Sequence, residues 1–476
     1  MAGALPNRPL PLPPPARGGG TRRWAPLLLA AALFVWPAIL NGYPLVFSDT
    51  GTYLSQALNH YLGWDRPVFY SFFLLPLHMG LTTWPVVAAQ ALIAAWVLRI
   101  VCRTLLQARP GWWLLVPALV LSVATSLPWL AAQLMPDVFT GLLILALALL
   151  ILVPERLGSN AAKLTVLAIF AITAHLSHLP LALAVIAVLL PLRRRLGAWA
   201  PLDGLGAGRV LGAPLAAVVA LVGVNLVGHG TPALAPYGNV FLLARVIYDG
   251  PGRDVLARAC PHAGWRLCVA GHRLPATADD FLWSPDSPLN EAGEGTRIRA
   301  EASRVVAAAL RAEPGTELTA AFDNTMRQLV LFRSGDGLRA WPATVTPWIR
   351  RDFPRFEQRA YAASRQSDGR VLLPSWLGGL HVAAGAAGVI GSLALLHGLL
   401  RRRNALAGVI VAVMVALLAN AAVTGALSGP HARYQSRVMW LPVLTVILAA
   451  AADRRQYTAW VPSAAPALIL HAGRVT

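Results

Sequence analysis

Long apolar runs separated by short arginine-bearing links dominate the chain. A crossing takes ~20 apolar residues, and on that measure the runs predict about ten membrane-spanning helices. They cover residues 24–42, 84–106, 112–129, 136–153, 162–176, 178–192, 210–229, 376–400, 405–427 and 438–452. The fifth and sixth are short and share the link AHLSHLP; their combined length suits two tilted spans better than one re-entrant unit. The expected class is an all-α polytopic membrane protein.

Two stretches depart from this pattern. Residues 43–83 form a first external loop, in which SDTGTYLSQALNHYL sets Tyr53, Leu54, Ala57, Leu58, Tyr61 and Leu62 on one helical face. The following PVFYSFFLLPLHMGLTTW is apolar but broken by Pro76 and Gly80, which predicts a helix lying on or dipping into the outer leaflet. Residues 230–375 hold most of the acidic residues. There IRAEASRVVAAALRAE (298–313) and TELTAAFDNTMRQLVLF (316–332) have helical spacing, which predicts a mostly helical external domain. The remaining division is a disordered, Pro- and Gly-rich cytoplasmic N-terminus (1–23), a transmembrane core (24–229), C-terminal transmembrane helices (376–452) and a cytoplasmic tail (453–476). The first apolar run lacks a convincing cleavage site and reads as a retained helix.

Composition agrees with a lipid environment. Of the 476 residues, 56% are hydrophobic and 13% charged, about half the ~25% charge of soluble domains. The net charge of +19 comes from links such as Arg193–Arg195 and Arg401–Arg403, and the chain has no aromatic-interleaved basic patch for nucleic acid. The short links of the opposite face hold only Arg66, Arg433 and Arg437. That bias predicts that both termini are cytoplasmic and that the 230–375 domain lies on the opposite face, which in a bacterial inner membrane would be the periplasm. Cys102 falls at a cytoplasmic helix end. Cys260 and Cys268, in ACPHAGWRLCVAG, are close enough to pair in an oxidising compartment, and the pairing stays open at this stage. His262 and His272 are not at a recognised zinc-ligand spacing.

Polar residues on the external face are the candidates for chemistry. Ser48 or Asp49 stands where a helix-capping residue belongs, and at a membrane surface the Asp49 carboxylate can equally serve as a general base. Asp65 and Arg66 read as a solvated turn with a local ion pair, with Arg66 also suited to a phosphate. Asp137 sits at a helix start, favourable on dipole grounds, and is also an ionisable group at membrane depth. His175 and His178 either bond to backbone or contact a phosphate or sugar. Arg433 and Arg437, four apart in SGPHARYQSRVMW, form either a membrane anchor with Tyr434 and Trp440 or a cationic clamp for phosphate. No Walker A, HExxH, CxxC or GxSxG motif occurs. His381, His397 and Asn225 are the main polar residues within spans, which weakens an ion-coupled carrier.

The succession SDTGTYL, then DRPVFYSFFLLPL before the second span, resembles the first external loop of the GT-C superfamily of membrane glycosyltransferases. The resemblance covers the layout of the first ~200 residues and is specific around residues 48–76. It implies a polyprenyl-phosphate-linked sugar donor, an envelope glycan, lipid or protein acceptor, and transfer on the non-cytoplasmic face. Asp49 matches the first-loop acid, the expected base, and Asp137 corresponds in position to an acid near the second external loop. Tyr53, Arg66, Asp137, His175, His178, Arg433 and Arg437 are the expected substrate-binding residues; the two C-terminal arginines match no family motif. No cofactor is certain. Thr50 follows Asp49 where many members have a second acid, so a divalent metal stays open. The competing classes are a transporter or flippase of a lipid-linked glycan and a non-enzymatic envelope assembly protein.

Overall fold

Within a bilayer only intrachain hydrogen bonds satisfy the backbone, and each of the ten apolar runs is helical in the computed structural model. The structure describes residues 20–459 apart from 108–110, 199, 261, 271–273 and 285. Among the described residues there is no β-strand, only an isolated bridge between Leu45 and Gln133. Residues 1–19 and 460–476 of the expected tails, and His272, lie outside the described residues. Helix α1 (Gly20–Ala32) begins inside the expected N-terminal tail, and the last helix, α24 (Trp440–Ala459), runs into the expected C-terminal one.

Five helical segments are long and apolar enough to cross a membrane among the described residues. They are α5 (Trp84–Leu105), α11 (Gly204–His229), α21 (Ser375–Arg401), α22 (Ala405–Leu427) and the run Ala432–Ala452, formed by α23 (Ala432–Ser436) and α24. The other expected spans are shorter or broken. The first divides into α1 and α2 (Trp36–Asn41), because Pro37 in the first turn of α2 cannot continue a helix from above. The third divides into α6 (Leu115–Ala124) and α7 (Leu127–Ala131), with Thr125 extended and Pro128 opening α7. Helices α8 (Val138–Leu152), α9 (Asn160–Ala174) and α10 (His178–Leu192) have 15 residues each. At ~1.5 Å per residue that is about 22 Å, short of a ~30 Å hydrocarbon core.

Burial separates helices of similar composition. Every residue of α8 is buried, as expected of a helix apolar on all sides and central to a bundle. On α11, Leu211, Leu215 and Val219 form an exposed apolar row at helical spacing, and α21 exposes Ile390 and Leu393; these surfaces suit lipid. In the first external loop, α3 (Thr50–Leu58) packs on α4 (Phe69–His78). Helix α4 buries Tyr70, Ser71 and Leu74 and turns Phe72 outward.

The segment expected as one external domain packs as two parts. Helices α12 (Gly238–Asp249), α13 (Pro251–Ala259), α14 (Arg266–Ala270), α15 (Ala278–Trp283), α16 (Pro288–Glu291) and α17 (Glu294–Ala312) enclose a core of their own around Leu243, Ile247, Phe281 and Val305. Cys260 and Cys268 are disulfide-bonded there, with Cα atoms 5.0 Å apart. By contrast α19 (Thr346–Asp352) and α20 (Arg355–Ala362) place Val345, Ile349, Phe353 and Tyr361 in the main core. Glu357 of α20 accepts hydrogen bonds from the Thr83 amide and hydroxyl, both at 2.8 Å, and so satisfies the start of α5. Helix α18 (Pro314–Val330) lies along α22, where Gly425 leaves room for the backbone of Asn324 and Thr325.

An ion pair joins the first part to the membrane helices: His431 Nε2, just before α23, is 3.4 Å from Asp279 of α15. The hydrogen bond to Asp279 raises the His431 pKa, with Asp336 assisting and burial and Arg433 opposing. The same bond lowers that of Asp279. His431 contributes fully below about pH 6.5 and loses its contribution as pH rises through its raised pKa, whereas Asp279 contributes above about pH 4 and loses its share as pH falls. The joint is therefore strongest between about pH 4 and 6.5. Detergent-solubilised protein should show a small fall in melting temperature from pH 6 to 8 that His431→Gln abolishes. Equal slopes in the two proteins would exclude the joint.

Candidate functional site

Asp49 and Asp137 occupy the positions preceding α3 and α8, yet neither caps its helix. A capping side chain reaches the first-turn amides from an extended backbone. Both aspartates are in the right-handed helical region, at φ/ψ of −76°/−14° and −59°/−31°, so their carboxylates point away from those amides. Thr50, the first residue of α3, ties the helix start to its surroundings instead: its hydroxyl accepts from the Phe47 amide at 2.9 Å and donates to the Leu134 carbonyl at 3.2 Å. The reading of Asp49 as a cap is thereby corrected, and both carboxylates are left for other partners.

The two loops that carry them run side by side. Leu45 donates its amide to the Ala132 carbonyl at 2.9 Å, and Leu134 returns a bond to Leu45 at 2.8 Å. Gln366, beyond α20, closes around the same loop by bonding both the amide and the carbonyl of Val46. The N-terminal ends of α3 and α8 are thus locked together before any charged group is considered.

Asp49 pairs with Arg66 at 2.9 Å, both side chains being largely buried. Arg66 also donates to the backbone carbonyl of Asp65 at 2.8 Å and lies over the rings of Trp283 (5.3 Å) and Phe241 (5.8 Å). The expectation of a solvated Asp65–Arg66 ion pair is corrected by this geometry. Arg66 leaves the Asp65 carboxylate for Asp49 because the external aromatics hold its guanidinium inward. Asp65 is half-buried, and burial, partly offset by Arg66, raises its pKa.

Asp137 pairs with Arg437 at 3.4 Å, and neither side chain has any solvent exposure. Arg437 further donates to Asn420 Oδ1 at 2.9 and 3.2 Å and to Ser177 Oγ at 2.8 Å. Its carbonyl accepts from the Trp440 indole at 3.1 Å, and Gly141 on α8 gives that indole ring its space. Three partners take four hydrogen bonds from the Arg437 guanidinium, so the expected two-arginine clamp separates. Arg433 is the available member. It lies 3.7 Å above the Phe47 ring, its backbone amide donates to Asp336, and its buried Nη1 has no partner among the described residues.

The remaining expected residues also separate. The Tyr53 hydroxyl is buried without a partner, within the fields of Arg66, Asp49 and Asp137, and burial pushes its pKa well above the ordinary phenol value. It stays a protonated donor. His175 is half-buried; its Nδ1 bonds to Ser177 Oγ at 2.9 Å, and its Nε2 has no hydrogen-bond partner among the described residues. His178 is corrected from a substrate residue to a structural one: Nδ1 bonds to the Ala171 carbonyl at 2.6 Å and Nε2 to the Thr140 hydroxyl at 2.7 Å. Both ring nitrogens are spent inside the bundle.

Sequence reasoning did not single out Phe47, Ser177 or Asn420. Asn420 had a readable signal, as a lone amide inside the apolar run ALLANAAV; the other two owe their places to tertiary contact. Beside Arg66, a crevice lies between α11 and the first external loop, lined by Asp65, Phe69, Leu176, Leu221, Val224 and Phe241 among others. No group of three metal-ligating side chains converges among the described residues. Asp49 and Asp137 each face an arginine, so the donor set does not suit a divalent ion. No family profile matches the chain, and no curated protein or solved structure matches it either.

Breaking a buried pair leaves an uncompensated charge, at a cost of about 3–5 kcal/mol. Arg437→Met alone should therefore lower the thermal stability of purified protein more than Arg437→Met combined with Asp137→Leu. A double variant less stable than the single one would show that the pair is not the source of the loss.

Proposed function

We propose that this protein is a multi-pass glycosyltransferase of GT-C-like architecture in the bacterial inner membrane. In this reading about ten helices cross or enter the bilayer, both termini are cytoplasmic and residues 230–375 are periplasmic. The protein moves a sugar from a polyprenyl-phosphate donor to an envelope glycan, lipid or protein acceptor. One observation carries the reading: a buried constellation of Asp49, Arg66, Asp137 and Arg433 retains unpartnered polar atoms. These are Asp137 Oδ2, Arg433 Nη1 and the Tyr53 hydroxyl. Buried polar groups without partners cost stability, which a ligand supplying the missing bonds would recover. The disulfide between Cys260 and Cys268 supports an oxidising compartment for the external part.

The chemistry follows from what each group can do. In this reading the isoprenoid chain lies along the exposed apolar row of α11 (Leu211, Leu215 and Val219), and the donor phosphate reaches Arg66 at the narrow crevice beside that helix. The phosphate competes with Asp49 for that guanidinium, and Asp49 is released as a base when the donor arrives. The acceptor hydroxyl oxygen attacks the anomeric carbon while Asp49 takes its proton. The bond from that carbon to the phosphate oxygen breaks, and its electron pair leaves with the phosphate. Arg66 and Arg433 meet the growing charge from fixed positions in a water-poor site. Tyr53 donates to a substrate oxygen, and His175 presents Nε2 to the sugar. Attack opposite the leaving group inverts the anomeric centre.

In membranes supplied with a polyprenyl-phosphate sugar, Asp49→Asn should lower kcat by about 10²–10⁴-fold while tightening donor binding, because the phosphate no longer competes with a carboxylate for Arg66. Arg433→Gln should instead weaken donor binding. Wild-type transfer by Asp49→Asn would sink the assignment of the base.

A further inference from the structure

A second site lies on the outer side of α19 and α20, away from the Asp49 constellation. Here a cavity of about 470 Å³ is lined by Arg350, Arg355 and Arg359, with Thr346, Tyr361 and Ser367 contributing hydroxyls. None of the three arginines has an ion pair among the described residues. The nearby carboxylates are all committed elsewhere. Asp352 binds Arg351 at 2.7 Å and Asn59 at 2.9 Å, Asp368 binds Arg370 at 2.8 Å, and Glu357 points inward to Thr83. Isolated surface arginines are ordinary solvated residues. Three of them in one concavity with no acid among them repel one another and concentrate positive potential where an anion can enter.

The scaffold is also rigid, which a mere solvated face does not require. Gln358 spends its amide on the Arg350 and Phe353 carbonyls at 3.0 and 2.7 Å, pinning α19 to α20. Glu357 ties α20 to the start of α5, and Gln366 ties the chain beyond it to Val46. The Tyr361 hydroxyl is 3.3 Å from that of Thr346, and its ring packs edge-on to Tyr43. Guanidinium forks on such a frame match phosphate oxygens in pairs.

We infer that this cavity is a binding site for a phosphate-bearing ligand at the outer boundary of the membrane helices, independent of the reaction assigned to the Asp49 constellation. The ligand class is a phosphate mono- or diester, whether a soluble phosphorylated glycan or the headgroup of an anionic lipid. Both offer the same oxygens to the same arginines.

Two probes separate the sources. Inorganic pyrophosphate is titrated calorimetrically into full-length protein in a neutral detergent. In parallel, native mass spectrometry counts the phosphatidylglycerol retained by protein released from nanodiscs that contain it. The variant Arg350→Gln/Arg355→Gln/Arg359→Gln should lose at least tenfold in pyrophosphate affinity or one or more retained lipids, with an unchanged melting temperature. Arg433→Gln should keep that binding, which assigns it to this cavity and not to the buried constellation. Loss in the pyrophosphate arm alone identifies a soluble phosphate ligand, and loss in the lipid arm alone identifies a headgroup. A folded triple variant equal to wild type in both arms overturns the site. If the triple variant melts early, the pairs Arg355→Lys/Arg359→Lys and Arg355→Gln/Arg359→Gln are measured. Binding weaker than wild type in the Gln pair at an unchanged melting temperature supports the site, with the Lys pair weakened as well where the guanidinium fork is needed, and wild-type binding by both pairs overturns it.

Discussion

The buried contact between Arg437 and Asp137 organises one end of the helical bundle. It draws the turn after α23 against the start of α8, and the same guanidinium reaches α22 through Asn420 and the start of α10 through Ser177. Four helices that are distant along the chain meet on one planar cation. Charge in such a place is tolerable only when each donor has an acceptor, and that requirement fixes the relative depth of the four. Apolar packing alone cannot do so, because leucine against leucine permits sliding.

A consequence appears in the roles of the neighbouring groups. Because Arg437 is saturated, the positive charge left over for a ligand is that of Arg433, held flat on Phe47, and that of Arg66, held among external aromatics. Because Asp49 and Asp137 sit on helical backbone, they do not cap, and each accepts an arginine instead. One pair, Asp137 with Arg437, is fully buried and ties helices together while leaving Asp137 Oδ2 without a partner. The other, Asp49 with Arg66, adjoins the α11 crevice. In the proposed reaction the ion pair serves as the resting form of the base, a role that neither residue shows alone.

Much of the helical layout was legible in the sequence, since apolar periodicity and length are local properties. The runs at 84–106, 210–229, 376–400 and 405–427 became α5, α11, α21 and α22 with small boundary shifts. The breaks at Pro37 and Thr125 were less legible, because continuous hydropathy hides a proline that a chain can either kink around or stop at. The external segment read as one domain because its composition is uniform. Its division follows from which residues find the main core, Ile349 and Tyr361, and which find each other, Phe281 and Val305. Among site residues, Asp49, Asp137, Arg66 and Arg433 stood out as charges beside apolar runs. The pairings among them did not.

The sequence by itself determined that the chain is helical and rich in apolar helices, and it placed Asp49, Asp137, Arg433 and Arg437 at the ends of apolar runs. Hydropathy and charge act residue by residue, and a string is sufficient to read them. Tertiary structure alone decided which arginine meets which carboxylate, that His178 is consumed by Thr140 and Ala171, and that Arg433 keeps an unused donor. Those outcomes depend on distances between segments as many as 300 residues apart, as for Asp137 and Arg437. They are set by packing and by the demand that buried polar groups be satisfied, and neither is written in any local stretch.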